Sequence, residues 1–117
     1  MSTYPQVAYK ILSGKELATL EREGRFDGSA DDRRDGFIHL STEAQLEGTL
    51  AKHYSGRDDL HLATVDLGSF GSSLKWEAAR DGQQFPHLYG PLLLETVVAY
   101  GALERRADGT LRLPVAG

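Results

Sequence analysis

Helical and strand-like segments are unevenly distributed along this chain, and their distribution limits the folds open to it. Amphipathic helices are predicted in the first half, at residues 13–24 and 42–54, whereas strand-like runs continue into the C-terminal region. A parallel, doubly wound sheet needs helices between its later strands, and none is predicted there. The pattern therefore predicts an α+β fold in which a twisted, mostly antiparallel, split β-sheet carries two helices from the N-terminal half.

Capping signals support both predicted helices. Ser13 is followed three residues later by Glu16, and Thr42 by Gln45, which is the spacing of a capping box. Gly24 is placed to end the first helix. Strands are predicted at residues 7–12, 37–40, 60–67, 74–78 and from 96 onward.

Two segments are predicted to be irregular. Residues 26–35 are rich in aspartate and arginine, and are expected to form a loop or one helical turn whose charged side chains are solvated, with ligand contact as their alternative role. The segment around His87 contains two prolines, which predicts a shaped loop rather than a regular element.

The size and composition are those of one soluble domain. The 117 residues fit a single domain, 1–117, with a C-terminal hairpin at about residues 96–113. The net charge of −4 gives no overall attraction to nucleic acid or anionic lipid. No cysteine is present, which excludes disulfides and thiolate chemistry. With no signal-peptide or membrane-spanning pattern, a cytoplasmic monomer or small homo-oligomer is expected.

A histidine at a predicted strand-to-helix junction is the first candidate for chemistry. His39 lies near the end of a strand, and Ser41 and Thr42 follow at the start of the next helix. Exposed amides and the helix dipole make such a junction favourable for an anion. The alternative is a histidine that only hydrogen-bonds between strands, beside hydroxyls that only cap the helix.

A second cluster lies far along the chain. His87 and Tyr89 belong to a proline-bounded segment, and Glu77 precedes them on a predicted strand. A carboxylate directed into a pocket could stabilise a cationic centre, and a tyrosine ring could stack on a nicotinamide or nucleobase. We expect both clusters to converge on one pocket. A surface carboxylate and a purely structural loop are the alternatives.

Other motifs of catalysis or cofactor binding do not occur. The sequence contains no G-x-G-x-x-G, no phosphate-loop lysine motif and no G-x-S-x-G. The four histidines lack the H-x-x-x-H spacing of a zinc site, so no metal is expected.

The segments FIHLST at residues 37–42 and FPHLYGP at 85–91, with Glu77 between them, resemble the bacterial family called domain of unknown function 952. This resemblance covers about residues 9–102. More remotely, His39-Leu40-Ser41-Thr42 followed by a helix and then by residues 62–66 is similar to the RNA 2′-phosphotransferases of the ADP-ribosyltransferase superfamily.

The remoter resemblance implies an ADP-ribosyltransferase-like fold and NAD as substrate, with ADP-ribosyl transfer or hydrolysis as the reaction. It implies that His39 and Glu77 are catalytic, and that Ser41 and Thr42 line the ligand site. His87 and Tyr89 would then bound the nicotinamide or phosphate side. The chain lacks the basic character of the RNA enzymes, so a nucleotide is the expected partner rather than nucleic acid. A non-catalytic nucleotide sensor and an interaction domain are the alternatives.

Overall fold

The computed structural model describes residues 4–79 and 82–115 and contains three α-helices and ten short strands there. The helices are α1 (Gly14–Glu23), α2 (Ala30–Asp35) and α3 (Glu43–His53). The strands are β1 (Val7–Ser13), β2 (Arg25–Phe26), β3 (Ile38–His39), β4 (Leu60–Asp66), β5 (Leu74–Ala78), β6 (Gln84–Leu88), β7 (Leu92–Leu93), β8 (Val97–Ala102), β9 (Glu104–Arg105) and β10 (Leu111–Arg112).

The strands form two three-stranded sheets and two short ribbons, and every pairing is antiparallel. The main sheet has the order β1-β4-β8 and the small sheet the order β3-β6-β5. A bridge between Tyr9 and Ser41 joins them, with N–H···O distances of 2.7 and 3.0 Å. The predicted α+β class and split antiparallel sheet are confirmed.

The helix ends follow from capping residues. Ser13 caps α1 and accepts from the Glu16 amide, while Gly24 ends the helix in the left-handed conformation with a φ of 74°. Thr42 is the N-cap of α3, and its amide donates to Gln45 Oε1 at 3.0 Å. The two predicted helices are therefore confirmed.

The predicted number of two helices was too low, because residues 30–35 form a third, where a loop or one helical turn was expected. Ser29 and Asp32 make a reciprocal capping box at the start of α2, and Gly36 ends it with a φ of 87°. The expectation that the charged residues of this segment are solvated was also wrong for Asp32, whose side chain is 2% exposed. A capping aspartate at this position points inward, toward β1 and β3.

The irregular loop predicted around His87 is instead strand β6, at the centre of the small sheet. Pro86 lies within this strand, and its carbonyl accepts from the Leu40 amide at 3.1 Å. Proline has no N–H, so it donates no hydrogen bond in return. The pairing with β3 stops at that point. Cross-strand register then places His87 opposite both His39 and Lys75.

The core consists of two clusters on opposite faces of the main sheet. Helix α1 and the inner face of the small sheet contribute to one cluster, which includes Leu12, Leu20 and Leu88. Helix α3 covers the other face, where Leu46 and Leu62 are fully buried. Side chains on the outer face of the small sheet are thus left to form a site.

The C-terminal segment differs in detail from the predicted hairpin at 96–113. Val97–Ala102 forms β8 and pairs with β4 in the main sheet, and a shorter hairpin of β9 and β10 follows it. Among the residues that the structure describes, no helix has both the length and the apolar character needed to cross a membrane.

Candidate functional site

A cavity of about 700 Å³ lies between α2, α3 and the outer face of the small sheet. Side chains from β1, β3 and β6 complete its walls. Helix α3 lines it along one face, through residues 44, 45, 48, 49, 52 and 53. This spacing of three to four residues is that of one helical face, so the cavity follows the length of α3.

His39 lies in this cavity between two carboxylates. Its Nδ1 is 2.6 Å from Asp32 Oδ1 and its Nε2 is 3.0 Å from Asp35 Oδ2. Both nitrogens can donate hydrogen bonds only when the ring is protonated. The two carboxylates therefore fix the orientation of the His39 ring.

Asp32 is the buried centre of this cluster. One of its oxygens accepts from the amide and ring of His39, and the other accepts from Lys10 Nζ at 2.8 Å and from the Ser29 amide at 2.9 Å. Burial acts to raise the pKa of Asp32, but the hydrogen bond from His39 and the charge of Lys10 outweigh it and hold the pKa well below its usual range. Asp32 is thus a carboxylate at neutral pH.

Lys10 is a buried cation, with a side chain only 3% exposed. It lies on an otherwise apolar strand, and its ammonium donates to Asp32 and to the His39 carbonyl at 3.1 Å. A buried charge needs such partners to offset its lost hydration. Lys10 therefore connects the main sheet to β3 and α2.

His87 lines the cavity from β6 and is held by Glu77. Its Nδ1 is 2.8 Å from Glu77 Oε1, and the same oxygen accepts from the Tyr89 hydroxyl at 2.7 Å. The hydrogen bonds from Tyr89 and His87 lower the pKa of Glu77, and the bond to Glu77 raises the pKa of Tyr89. Glu77 is therefore ionised, and His87 donates through Nδ1.

This hydrogen bond determines the tautomer of neutral His87. With the proton on Nδ1, the lone pair lies on Nε2, which has no hydrogen-bond partner in the described residues. The Phe37 ring stacks on the His87 ring, with centroids 3.9 Å apart, and restricts its rotation. His87 is thus a fixed imidazole with one basic nitrogen available.

The two histidines are neighbours across β3 and β6. Their ring centroids are 5.7 Å apart, in an edge-to-face arrangement, and Phe37 contacts both rings. The His39 ring lies between two carboxylates, whereas Nε2 of the His87 ring has no hydrogen-bond partner among the described residues. The two rings therefore face the cavity with different hydrogen-bond partners.

The structure brings the predicted residues into one region but gives them different positions. His39, Ser41 and His87 line the cavity. Glu77 and Tyr89 lie beside it, on the far side of His87. Thr42 is the helix cap that the alternative interpretation predicted.

The Ser41 hydroxyl is already engaged, at 2.9 Å from Thr49 Oγ1. It therefore links the strand-to-helix junction to α3 as well as lining the cavity.

Sequence reasoning missed Asp32, Lys10 and Phe37. Asp32 had a detectable signal, because Ser29 precedes it at capping-box spacing. Lys10 had a weaker signal, because it is the only charged residue in a predicted strand of mostly apolar residues. Within residues 4–79 and 82–115, no group of three or more His, Asp or Glu side chains is arranged to hold a metal ion.

Fold and site together define an α+β protein with a cleft built on a histidine pair and its carboxylates. The chain belongs to the family described as "Protein of unknown function (DUF952)", whose model matches residues 11–100. The first resemblance seen in the sequence is thereby confirmed. The remoter resemblance to the ADP-ribosyltransferase superfamily gains no support from this match.

Solved structures of protein CC0527 from Caulobacter crescentus are similar to this chain. Its crystal structure is 47% identical, with a TM-score of 0.81, and the match covers 92% of this chain and 94% of that one. Its solution NMR structure is 46% identical, with a TM-score of 0.78, over 93% and 94% of the two chains. No curated protein matches the chain.

Proposed function

We propose that this protein is an enzyme that uses its histidine pair for acid–base catalysis on a small polar molecule bound in the cavity. The observation that carries this proposal is the 2.8 Å contact of His87 Nδ1 with Glu77 Oε1, which leaves Nε2 of this cavity-lining ring without a partner among the described residues. The cavity volume of about 700 Å³ lies within the range of small-molecule sites.

His87 acts as the general base. Its Nε2 accepts a proton from water or from an acceptor hydroxyl, and the Glu77 carboxylate stabilises the imidazolium that forms. Glu77 was expected to contact a cationic ribose directly. Its place behind His87 supports a positioning role instead, because it acts on the reaction through the imidazole.

His39 acts as the acid or as an orienting donor. Asp32 and Asp35 hold its ring, and the side chain remains 40% exposed. For this role the Nε2–H of a protonated His39 exchanges the partly exposed Asp35 for a leaving group or an anionic oxygen, while buried Asp32 keeps its contact with Nδ1. The two histidines then have separate roles, set by their different partners.

The specific reaction that we propose to test first is cleavage of NAD, as the remoter sequence resemblance implies. The C–N bond between ribose and nicotinamide breaks, and its electron pair leaves with nicotinamide. A C–O bond forms to water or an acceptor hydroxyl, whose proton passes to Nε2 of His87. Atoms and charge balance with no added oxidant or reductant.

The experiment measures nicotinamide and ADP-ribose release from NAD by the wild-type protein, and the same reactions by His87→Gln. We expect the variant to lose about 10²–10⁴-fold in rate, the usual contribution of a general base. His61→Gln is the matched control, since His61 lies on β4 and does not line the cavity. It should keep the wild-type rate.

Two results would contradict the proposal. Equal rates in wild type and His87→Gln would remove the histidine from the mechanism. Binding of NAD or ADP-ribose by the wild type, seen as a raised melting temperature without any product, would identify a nucleotide sensor rather than an enzyme.

A further inference from the structure

The cavity wall carries as many Lys and Arg side chains as carboxylates, but they do not all form ion pairs with one another. Four carboxylates line the cavity, and each has a partner. Asp32 binds Lys10 and His39, and Asp35 binds His39. The other two also have partners, since Asp31 pairs with Arg34 at 3.1 Å and Glu16 accepts from the Ser13 amide at 2.9 Å.

Two cations of the cavity have no such partner. Lys52, in the last turn of α3, and Arg57, just beyond it, both line the cavity. Neither forms an ion pair with any carboxylate in the described part of the chain. His53 lies beside them on the same wall.

Arg57 is held in place by an aromatic ring. Its guanidinium lies 5.1 Å from the centroid of the Tyr54 ring, which is itself part of the cavity wall. A cation–π contact of this kind leaves the N–H donors of the exposed guanidinium available, and these donors match the geometry of phosphate oxygens. Burial, followed by the nearby charges of Glu16 and Asp32, raises the pKa of Tyr54 to about 12.

The position of these cations along α3 defines a second region of the cavity. Lys52 lies eight residues beyond Ala44, which lines the cavity in the first turn of the helix. At 1.5 Å per residue, this separation is about 12 Å. A ligand extended along α3 could therefore contact the strand-to-helix junction at one end and the basic wall at the other.

We propose that Lys52 and Arg57 form a phosphate-binding subsite, and that the ligand of this cavity carries a phosphate or diphosphate group. This proposal rests on the proposed function for the chemistry at His87, but it concerns a different part of the cavity. Basic residues in a last helical turn also interact favourably with the helix dipole. That interaction accounts for Lys52 but not for Arg57, which lies outside α3.

The probe for this subsite is inorganic pyrophosphate, added to the ¹⁵N-labelled protein at low ionic strength and followed by NMR. We expect concentration-dependent shifts of the amides of Lys52 and Arg57 that sodium chloride of equal ionic strength does not produce. The double variant Lys52→Ala/Arg57→Ala should bind pyrophosphate at least tenfold more weakly. Its melting temperature reports separately on the lost dipole interaction.

The matched control is Lys15→Ala/Arg33→Ala, which removes the same charge from two exposed positions outside the cavity wall. It should bind pyrophosphate within about twofold of wild type, because neither side chain lines the cavity where the anion would be held. Equal affinity in both double variants would overturn the subsite. Absence of any specific shift in the wild type would overturn it as well.

The outcome is separable from that of the catalytic proposal. His87→Gln should bind pyrophosphate as the wild type does while losing turnover. Pyrophosphate binding without turnover of any substrate would retain the subsite and reject the enzyme. Turnover without pyrophosphate binding would retain the enzyme and reject the subsite.

Discussion

At the scale of single residues, the site depends on which hydrogen bond each histidine makes. His39 and His87 lie on the same face of one sheet, yet one contacts two carboxylates and the other contacts one. Glu77 determines which nitrogen of His87 carries the proton, and the Tyr89 hydroxyl stabilises Glu77 in its ionised form. The chemistry proposed here follows from those contacts rather than from the residue types alone.

The contact between Tyr89 and Glu77 can be tested directly. Its hydrogen bond is the largest cause of the lowered pKa of Glu77, so Tyr89→Phe should move that pKa upward toward the ordinary value. A carboxyl titration followed by ¹³C NMR measures the change. Tyr100→Phe, which removes a comparable bond to Glu21, should leave Glu77 unaffected. An unchanged Glu77 titration in Tyr89→Phe would show that the bond does not form in solution.

At the scale of elements, short α2 determines where the carboxylates of the His39 cluster lie. Its first turn supplies Asp32 and its last residue is Asp35, so both ends of the helix contribute to the site. The capping box at Ser29 and the left-handed Gly36 fix its length at six residues. A helix this short depends on its caps, because isolated short helices are marginal in water.

Gly36, at the end of α2, and Gly48, inside α3, should respond in opposite ways to substitution by alanine. Gly36→Ala should lower the free energy of unfolding by about 1 kcal/mol, because alanine disfavours a φ of 87°. Gly48→Ala should raise it by about 0.5–1 kcal/mol, since Gly48 lies inside α3 and open space surrounds an added Cβ. Urea unfolding measures both. Equal effects of the two substitutions would contradict the role assigned to the α2 cap.

At the scale of the whole molecule, the buried pair of Lys10 and Asp32 links the main sheet to the wall of the cavity. The side chains are 3% and 2% exposed, and their nitrogen and oxygen atoms lie 2.8 Å apart. The pair lies beside the bridge between Tyr9 and Ser41 that joins the two sheets. Stability and the geometry of the site are therefore coupled through the same contacts.

This coupling predicts loss of stability in acid. The pKa of Asp32 is lower in the folded protein than in the unfolded chain, so its contribution is complete well above the unfolded value of about 3.9. It declines as the pH falls through that value toward the folded pKa. Asp32→Asn should lower the free energy of unfolding at pH 7 by about 3–5 kcal/mol, because it leaves Lys10 buried without its counter-charge.

Urea unfolding at pH 7 and pH 3 measures both effects. Lys10→Met/Asp32→Asn should recover part of the loss and show a weaker pH dependence than wild type between these values. Asp27→Asn is the control, since Asp27 pairs with Arg25 on the surface and should cost less than about 1 kcal/mol. A wild-type pH dependence in the double variant would assign the acid sensitivity to other carboxylates.

The sequence determined the local elements and part of the site. The helix caps at Ser13 and Thr42 and the strand-to-helix junction after His39 depend on residues close together in the chain, and the antiparallel class followed from the order of the elements. Propensity and capping act over a few residues, so their signals can be recognised without coordinates.

The tertiary structure decided the remaining features. The register that places His87 opposite His39, the burial of Lys10 and Asp32, and the position of Glu77 behind an imidazole all join segments distant in sequence. Pro86 favoured a loop by local rules, yet the strands on both sides hold it within a sheet. Such features depend on which side chains exclude water together, and that free energy becomes available only when distant segments pack.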